Sequence, residues 1–151
     1  MGRSARGVRG VRLRPNDCVV GMDIVANNEG QLLVLSQNGY GKITKAANFP
    51  THKRGGVGIK AAVVTAKTGP IVAVRSLEED SDEILMISSK GQVIRVSLKD
   101  IPVLGRTTQG VRIMRTADDD VVTSFGFVPT QDSDDDNSGD GDKSTTDAKD
   151  K

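Results

Sequence analysis

Short apolar segments separated by polar turns run along the first 128 residues of this chain. No stretch of ten or more residues carries a convincing 3.6-residue period with helix caps. The segments are rich in Val, Ile and Leu, residues that favour strands. The predicted strands cover residues 18–26, 32–36, 63–64, 71–77, 84–88, 93–98 and 121–128. The pattern therefore predicts an all-β fold.

Three elements recur in the same order at an interval of about 50 residues. The string Arg-x-x-x-Gly-[Val/Ile]-[Arg/Lys] begins at Arg3, Arg54 and Arg106, at intervals of 51 and 52 residues. The run LLVLSQNG at 32–39 recurs as ILMISSKG at 84–91. Each run ends in Asn-Gly or Lys-Gly, where a tight hairpin turn needs a residue that tolerates positive φ followed by Gly. A branched apolar pair at 19–20, 71–72 and 121–122 is the third element. Each repeat is therefore expected to hold a hairpin and about four strands.

This period is typical of a β-propeller or β-pinwheel blade. The chain carries about two full repeats and the start of a third, with starts near residues 3, 54 and 106. Propellers close with about four to eight blades, so these repeats are too few for a ring. We expect an open stack of propeller-like blades over residues 1–128, as in a piece of a longer array, with apolar faces exposed at its ends.

Charge divides the chain at residue 129. Residues 1–128 hold 18 Lys and Arg against 12 Asp and Glu, a net charge of +6, while residues 129–151 hold 3 against 8, a net charge of −5. The segment 131–151 has no large apolar residue, so we predict a disordered acidic tail over 129–151. The basic body predicts a polyanionic partner, for which the tail is a candidate competitor.

The chain has little material for catalysis or metal binding. It contains one cysteine, Cys18, and one histidine, His52, which excludes a disulfide framework and a Cys-rich zinc site. Cys18 leads an apolar strand and is expected to be buried. No apolar run reaches the roughly 18 to 20 residues of a membrane span, and the N-terminus lacks a signal-peptide stretch. We expect a soluble, cytoplasmic, non-catalytic chain without metal, cofactor or membrane contact.

The sharpest motif is His-Lys-Arg-Gly-Gly-Val-Gly at 52–58. Paired glycines let the backbone approach a phosphate and point its N–H groups at it, while adjacent cations neutralise the charge. The candidate phosphate-binding residues are His52, Lys53, Arg54, Gly55 and Gly56. The alternative is a sharp turn between strands with solvated cations.

Basic residues recur with the repeat. In residues 9–14, Val11 and Leu13 alternate with two arginines, which places the arginines together on one face of a strand. Cations repeated once per blade would lie at one level around the rim and form a positive track that fits bent duplex DNA. The cations assigned to this track are Arg3, Arg6, Arg9, Arg12, Arg14, Lys42, Lys45, Lys60, Arg106, Arg112 and Arg115. A merely solvated charged face is the alternative.

The four aromatic residues help to choose the nucleic acid. Single-strand binders and sequence-specific RNA modules stack bases on aromatic side chains, and here these are only Tyr40, Phe49, Phe125 and Phe127. No recognition helix is predicted either. Duplex DNA, bound through its phosphates without base readout, is the expected partner.

The motif at 52–58 resembles the box Gln-Arg-Arg-Gly-Gly-Lys-Gly of the DNA gyrase A subunit. Residues 1–128 resemble the later blades of that subunit's C-terminal DNA-wrapping domain, through SQNGYGKITKA (36–46), ISSKGQVIRV (87–96) and GRTTQGVRIMR (105–115). His52, Lys53 and Val57 stand where the box has Gln, Arg and Lys, so this copy is degenerate. Tyr40 lacks the neighbouring arginine of the family's catalytic tyrosine and is not read as a nucleophile.

The resemblance implies a non-catalytic portion of an ATP-dependent type IIA topoisomerase, located in the bacterial cytoplasm with the nucleoid. Such blades bind and wrap duplex DNA so that the full enzyme introduces negative supercoils. The implied protein partners are the gyrase B subunit, which binds ATP, and the remainder of the gyrase A subunit, which holds the Mg²⁺-dependent cleavage site, in an A2B2 assembly. Two alternatives stay open: the C-terminal domain of the topoisomerase IV A subunit, and a propeller that binds acidic proteins rather than DNA.

Overall fold

The structure, a computed structural model, describes residues 2–25, 29–77 and 81–129, and within these ranges it is built from strands and two short 3-10 turns. The strands are β1 (Gln31–Ser36), β2 (Tyr40–Lys45), β3 (Ile71–Ser76), β4 (Ser81–Ser88), β5 (Val93–Ser97), β6 (Val111–Arg112) and β7 (Val122–Pro129). The 3-10 turns are Ala46–Asn48 and Leu98–Asp100. The all-β prediction is confirmed. Beyond Pro129, the predicted acidic tail lies outside the described residues.

The strands form two antiparallel sheets with the orders β3-β1-β2-β6 and β5-β4-β7. Each sheet is centred on one of the two predicted hairpins, β1–β2 or β4–β5. The flanking strands come from later repeats: β3 belongs to the second repeat, and β6 and β7 belong to the third. A blade is therefore assembled from strands of successive repeats, so one sequence repeat does not correspond to one blade.

One apolar core joins the two sheets. Alternate residues of β4 are buried, as expected for a strand with one buried face, whereas residues 33–36 of β1 are all buried. Several of these side chains have no exposed surface. Burying each such side chain stabilises the fold by about 1.5–3 kcal/mol. The buried cluster consists of Leu33, Leu35, Ile43, Ile84, Met86, Ile101, Met114 and Val122.

The two hairpin turns use the predicted glycines but differ from the expected turn chemistry. Gly39 and Gly91 have φ of +75° and +81°, a region that favours glycine, while Asn38 does not adopt positive φ. The Asn38 amide instead donates to the carbonyls of Ala66 and Lys67, at 3.2 and 3.1 Å. The first hairpin is thus fastened to the loop that precedes β3.

The N-terminal segment, residues 2–25, departs from the prediction because it forms no strand. Its only ladder contact is the isolated bridge between Val11 and Gly56. The equivalent segments, β3 and β7, each pair with the hairpin of the preceding repeat, and residues 18–25 pair with no hairpin in the described part of the chain. Cys18 is consequently exposed rather than buried, and Met22 and Ile24 are 89% and 83% exposed. These side chains provide the exposed apolar face expected at the end of an open stack.

Residues 63–64, also predicted as a strand, lie outside the strands. The Val63 N–H donates to the Thr108 carbonyl over 3.0 Å, a single bond rather than a ladder.

Asp120 fastens the tip of the second hairpin. Its Oδ1 accepts hydrogen bonds from the Ser89 hydroxyl (2.8 Å) and the backbone N–H groups of Lys90 and Val121 (3.0 and 2.9 Å). The hydroxyls of Ser88 and Ser89 and these two N–H groups outweigh the opposing effect of burial and lower the pKa of Asp120 from 3.8 to about 2.

This shift predicts acid sensitivity. A carboxyl group with a depressed pKa stabilises the folded chain above its ordinary pKa of 3.8, and the contribution is lost as pH falls toward about 2. We expect Asp120→Asn to be less stable than the natural chain at pH 7 and to lose less stability between pH 5 and pH 2. Urea unfolding across this pH range measures the free energy of unfolding of each chain. The control is Asp118→Asn, a change at an exposed aspartate. Parallel pH curves for the natural chain and Asp120→Asn would contradict it.

Candidate nucleic-acid interface

The three basic boxes lie next to one another in chain order. We define the first box as residues 3–14, the second as residues 52–60 and the third as residues 105–115. The first and second boxes meet where the Arg12 N–H donates to the Gly56 carbonyl and the Gly55 N–H donates to the Gly10 carbonyl, both at 2.8 Å. An open groove separates their side chains, lined by Gly10, Val11, His52, Lys53, Arg54, Gly56, Val57 and Gly58.

The second and third boxes are also joined directly. Arg106 donates from Nη1 to the Lys60 carbonyl over 2.8 Å, and its guanidinium lies 5.9 Å from the ring centre of Phe49. The three segments that the sequence separates by about 50 residues are thus connected into one run of contacts.

The third box is docked on the first hairpin. Strand β6 pairs with β2, with Arg112 opposite Tyr40 and Val111 opposite Gly41. Gly110 has φ of +81°, and a Cβ there would lie 2.4 Å from the Gly41 carbonyl oxygen. Glycine is therefore required at Gly110 both by its backbone conformation and by the close approach of β2.

Tyr40 orients one of the predicted DNA-facing cations. Its hydroxyl accepts hydrogen bonds from Nε and Nη2 of Arg112 at 3.2 and 2.9 Å, and the guanidinium lies 5.3 Å from the ring centre. Burial raises the pKa of Tyr40, but the Arg112 hydrogen bonds and the charges of Arg112 and Lys67 together leave it below its ordinary value. Tyr40, which has no catalytic context in the sequence, thus supports Arg112 of the third box.

Most of the predicted site residues are on the surface. Gly55 and Arg106 are half-buried and Lys42 is buried. The exposed members are Arg3, Arg6, Arg9, Arg12, Arg14, Lys45, His52, Lys53, Arg54, Gly56, Lys60, Arg112 and Arg115.

Lys42 corrects the sequence prediction of a DNA contact. It is 1% exposed, and its ammonium donates to the carbonyls of Gly105, Arg106 and Thr108 at 2.8, 2.7 and 3.0 Å, with the Thr108 hydroxyl at 3.1 Å. Burial, followed by the charge of Arg106, lowers its pKa. Four oxygen atoms surround the ammonium as hydrogen-bond acceptors. Lys42 therefore supports the third box from inside the blade instead of facing a ligand.

Comparison of the two hairpins is the signal that identifies Lys42 as an interior residue. Shifted by 52 residues, Lys42 corresponds to Ile94, a half-buried residue of β5. A lysine that occupies the position of a core-facing isoleucine is expected to be buried with polar partners.

Several acidic side chains within the described ranges pair with cations outside the boxes. Asp23 contacts Arg75, Glu83 contacts Arg95 and Asp82 contacts Lys99. Across residues 2–25, 29–77 and 81–129, no ion pair involves a cation of the three boxes. Their charge is therefore available to an anionic ligand.

Two classes of site find no support in the described ranges. They contain no group of three or more His, Cys, Asp or Glu residues that is placed to hold a metal ion. In the same residues, no helix has the length and apolar character needed to cross a membrane.

The fold and the repeated boxes define an array of propeller-like blades. The profile of the family described as "DNA gyrase C-terminal domain, beta-propeller" matches residues 1–26, 30–78 and 82–129. The chain belongs to this family.

Named relatives agree with this assignment. The chain is 48% identical over 136 residues to the DNA gyrase A subunit of Aminobacterium colombiense, covering 90% of this chain and 16% of the relative. It is 38% identical over 138 residues to the DNA gyrase A subunit of Staphylococcus aureus strain MRSA252, covering 91% and 15% respectively. The chain thus spans about one sixth of the length of these relatives.

Solved structures share the architecture. A DNA gyrase A C-terminal domain superposes with a TM-score of 0.72 at 28% identity, over 81% of this chain and 41% of that one. The C-terminal domain of a DNA topoisomerase IV superposes with a TM-score of 0.73 at 22% identity, over 82% and 38%. The second likeness shows a common fold alone and does not favour the topoisomerase IV alternative.

Proposed function

We propose that the three boxes bind the phosphates of duplex DNA without reading its sequence. The observation that carries the proposal is the contact between the boxes: their cations, which form no ion pair in the described ranges, lie on three segments joined by direct hydrogen bonds. Neutralised phosphates release counterions, which supplies sequence-independent affinity. Within the described ranges only two three-residue 3-10 turns are helical, so this part of the chain offers no helix for the major groove.

We further propose that the chain is the DNA-wrapping part of a gyrase A subunit. Its relatives bear that name, and it spans only a small share of their length. On this proposal the chain itself catalyses nothing. The rest of the gyrase A subunit cleaves DNA with Mg²⁺, the B subunit hydrolyses ATP, and the A2B2 assembly acts in the bacterial cytoplasm.

A pair of charge-matched double variants tests the role of the second box. Lys53→Ala/Arg54→Ala removes two exposed cations from the groove beside the first box. We expect weaker binding to every duplex sequence and a slope of log affinity against log salt that is shallower by about one to two units. Fluorescence anisotropy with two unrelated duplexes measures both quantities.

The control, Arg95→Ala/Lys99→Ala, removes the same charge from cations that contact Glu83 and Asp82. We expect less than half of the change in slope, because those cations are already neutralised. Equal effects of the two double variants would show that the second box is only a solvated turn. Tight binding to an acidic protein with none to DNA would favour the protein-interaction alternative.

A further inference from the structure

The ammonium of Lys42 determines the orientation of three peptide groups in the third box. It binds the carbonyl oxygens of Gly105, Arg106 and Thr108, and it reaches them from inside the blade. The described residues contain no cis peptide bond, and in a trans peptide the N–H points opposite to the C=O. The N–H groups that follow these carbonyls, on Arg106, Thr107 and Gln109, therefore point away from Lys42.

These three N–H groups are without a protein acceptor within the described ranges. Thr107 and Gln109 are exposed, and the cations of Arg106 and Arg112 flank the loop. Because their carbonyls converge on one ammonium, these N–H groups diverge on the outer side of the loop, where each is a donor for an anionic oxygen beside positive charge. The ligand that matches these spread donors is a nucleic-acid backbone, which offers a row of anionic phosphate oxygen atoms.

We propose that residues 105–109 bind phosphate oxygen atoms along the DNA backbone through these N–H groups, and that Lys42 is the positioning residue that turns them outward. The proposal rests on the proposed duplex binding for its ligand. The orientation of the loop by Lys42 does not depend on DNA. Lys42 thus affects the DNA interface without being accessible to it.

The neighbouring polar contacts support this role. Thr44 donates from Oγ1 to the Leu104 carbonyl over 2.9 Å, and the Thr108 hydroxyl donates to the Gly105 carbonyl over 2.8 Å. Thr44 of the first hairpin therefore fixes the start of the loop, and the bond between Thr108 and Gly105 closes the loop on itself. In the second hairpin, Ile94 and Val96 replace Lys42 and Thr44, so β5 cannot hold a box in this way.

Two measurements on the full chain test the proposal with Lys42→Met, which removes the ammonium and keeps the side-chain length. The first is tryptic cleavage after Arg106, relative to cleavage after the exposed Arg54, followed by mass spectrometry without DNA. We expect the ratio to rise at least tenfold, because the Arg106 carbonyl is no longer held. An unchanged ratio in the folded variant would overturn the positioning role of Lys42.

The second measurement follows the amide resonances of Arg106, Thr107 and Gln109 while a short duplex is added. In the natural chain we expect all three protons to move downfield, and in Lys42→Met we expect smaller shifts and affinity at least fivefold lower. Lys45→Met, a change of an exposed lysine on the same strand, is expected to lower affinity less and to keep the amide shifts. Equal behaviour of the two variants, or natural-chain shifts absent at saturating DNA, would overturn the phosphate site. A natural chain that binds no DNA would refute the proposed function and the phosphate site, while the cleavage ratio still decides the role of Lys42.

Chemical rescue separates positioning from simple folding. In a Cys18→Ser background, Lys42→Cys is alkylated with 2-bromoethylamine while unfolded, which places an ammonium at lysine-like length, and is then refolded. Return of both Arg106 protection and amide shifts supports the proposal. A refolded, alkylated chain that regains neither overturns it, even if Lys42→Met fails to fold.

Discussion

Replacing Gly39 by alanine is expected to destabilise the chain by about 3 kcal/mol or more, well beyond the same change at Gly91. Both glycines have positive φ, +75° and +81°, so each alanine incurs about 1–2 kcal/mol of backbone strain. Only Gly39 has a neighbour in the way: its added Cβ would lie 2.1 Å from the Met114 carbonyl oxygen, while nothing lies within 4 Å at Gly91. The difference between the two variants therefore measures the docking of the third box.

The Gly39 change also acts through hydrogen bonds. The Gly39 carbonyl accepts from the N–H groups of Ile113 and Met114 at 2.8 and 3.0 Å, and a displaced turn would weaken both. Urea unfolding of the two alanine variants and the natural chain gives the free energies. Equal losses at the two sites would mean that residues 113–114 do not pack on the first hairpin as described.

The fold follows from the sequence where the apolar pattern is local. The apolar runs at 32–35 and 84–87 predict β1 and β4; residues 33–36 of β1 are all buried, whereas burial alternates along β4, with Ile84 and Met86 inside. Glycine in each turn follows from the need for positive φ. These features depend on a few neighbouring residues, so a sequence pattern is sufficient to predict them.

Features that depend on distant partners are not predicted by the pattern alone. Residues 18–25 have the composition of a strand but no pairing hairpin in the described residues, so composition predicts a strand that is absent. Lys42 appears as a surface cation in an alternating strand, yet loop carbonyls about 63 residues away receive its ammonium. Sheets that combine strands of successive repeats bring such partners together. The length of the sequence repeat does not reveal this arrangement.

The sequence predicts one part of the candidate site and not the other. The recurrence of Arg, Gly and Lys identifies the three boxes, because a repeated motif takes equivalent positions on equivalent blades. The supporting side chains, Tyr40 and Thr44, lie on a strand remote in sequence and have no counterpart in the second hairpin. Their roles follow only from the pairing of β2 with β6.

The central claim is that phosphates, not bases, are recognised along the connected boxes. The most direct test is the affinity of the full chain for two duplexes of unrelated sequence, titrated across salt concentrations from about 50 to 200 mM. With about four to six phosphate contacts, the slope of log affinity against log salt is expected to be about −4 to −5, and affinity should fall by several hundredfold over this range. Both duplexes should give the same slope and similar affinity. A salt-independent affinity, or binding to one sequence alone, would contradict the account.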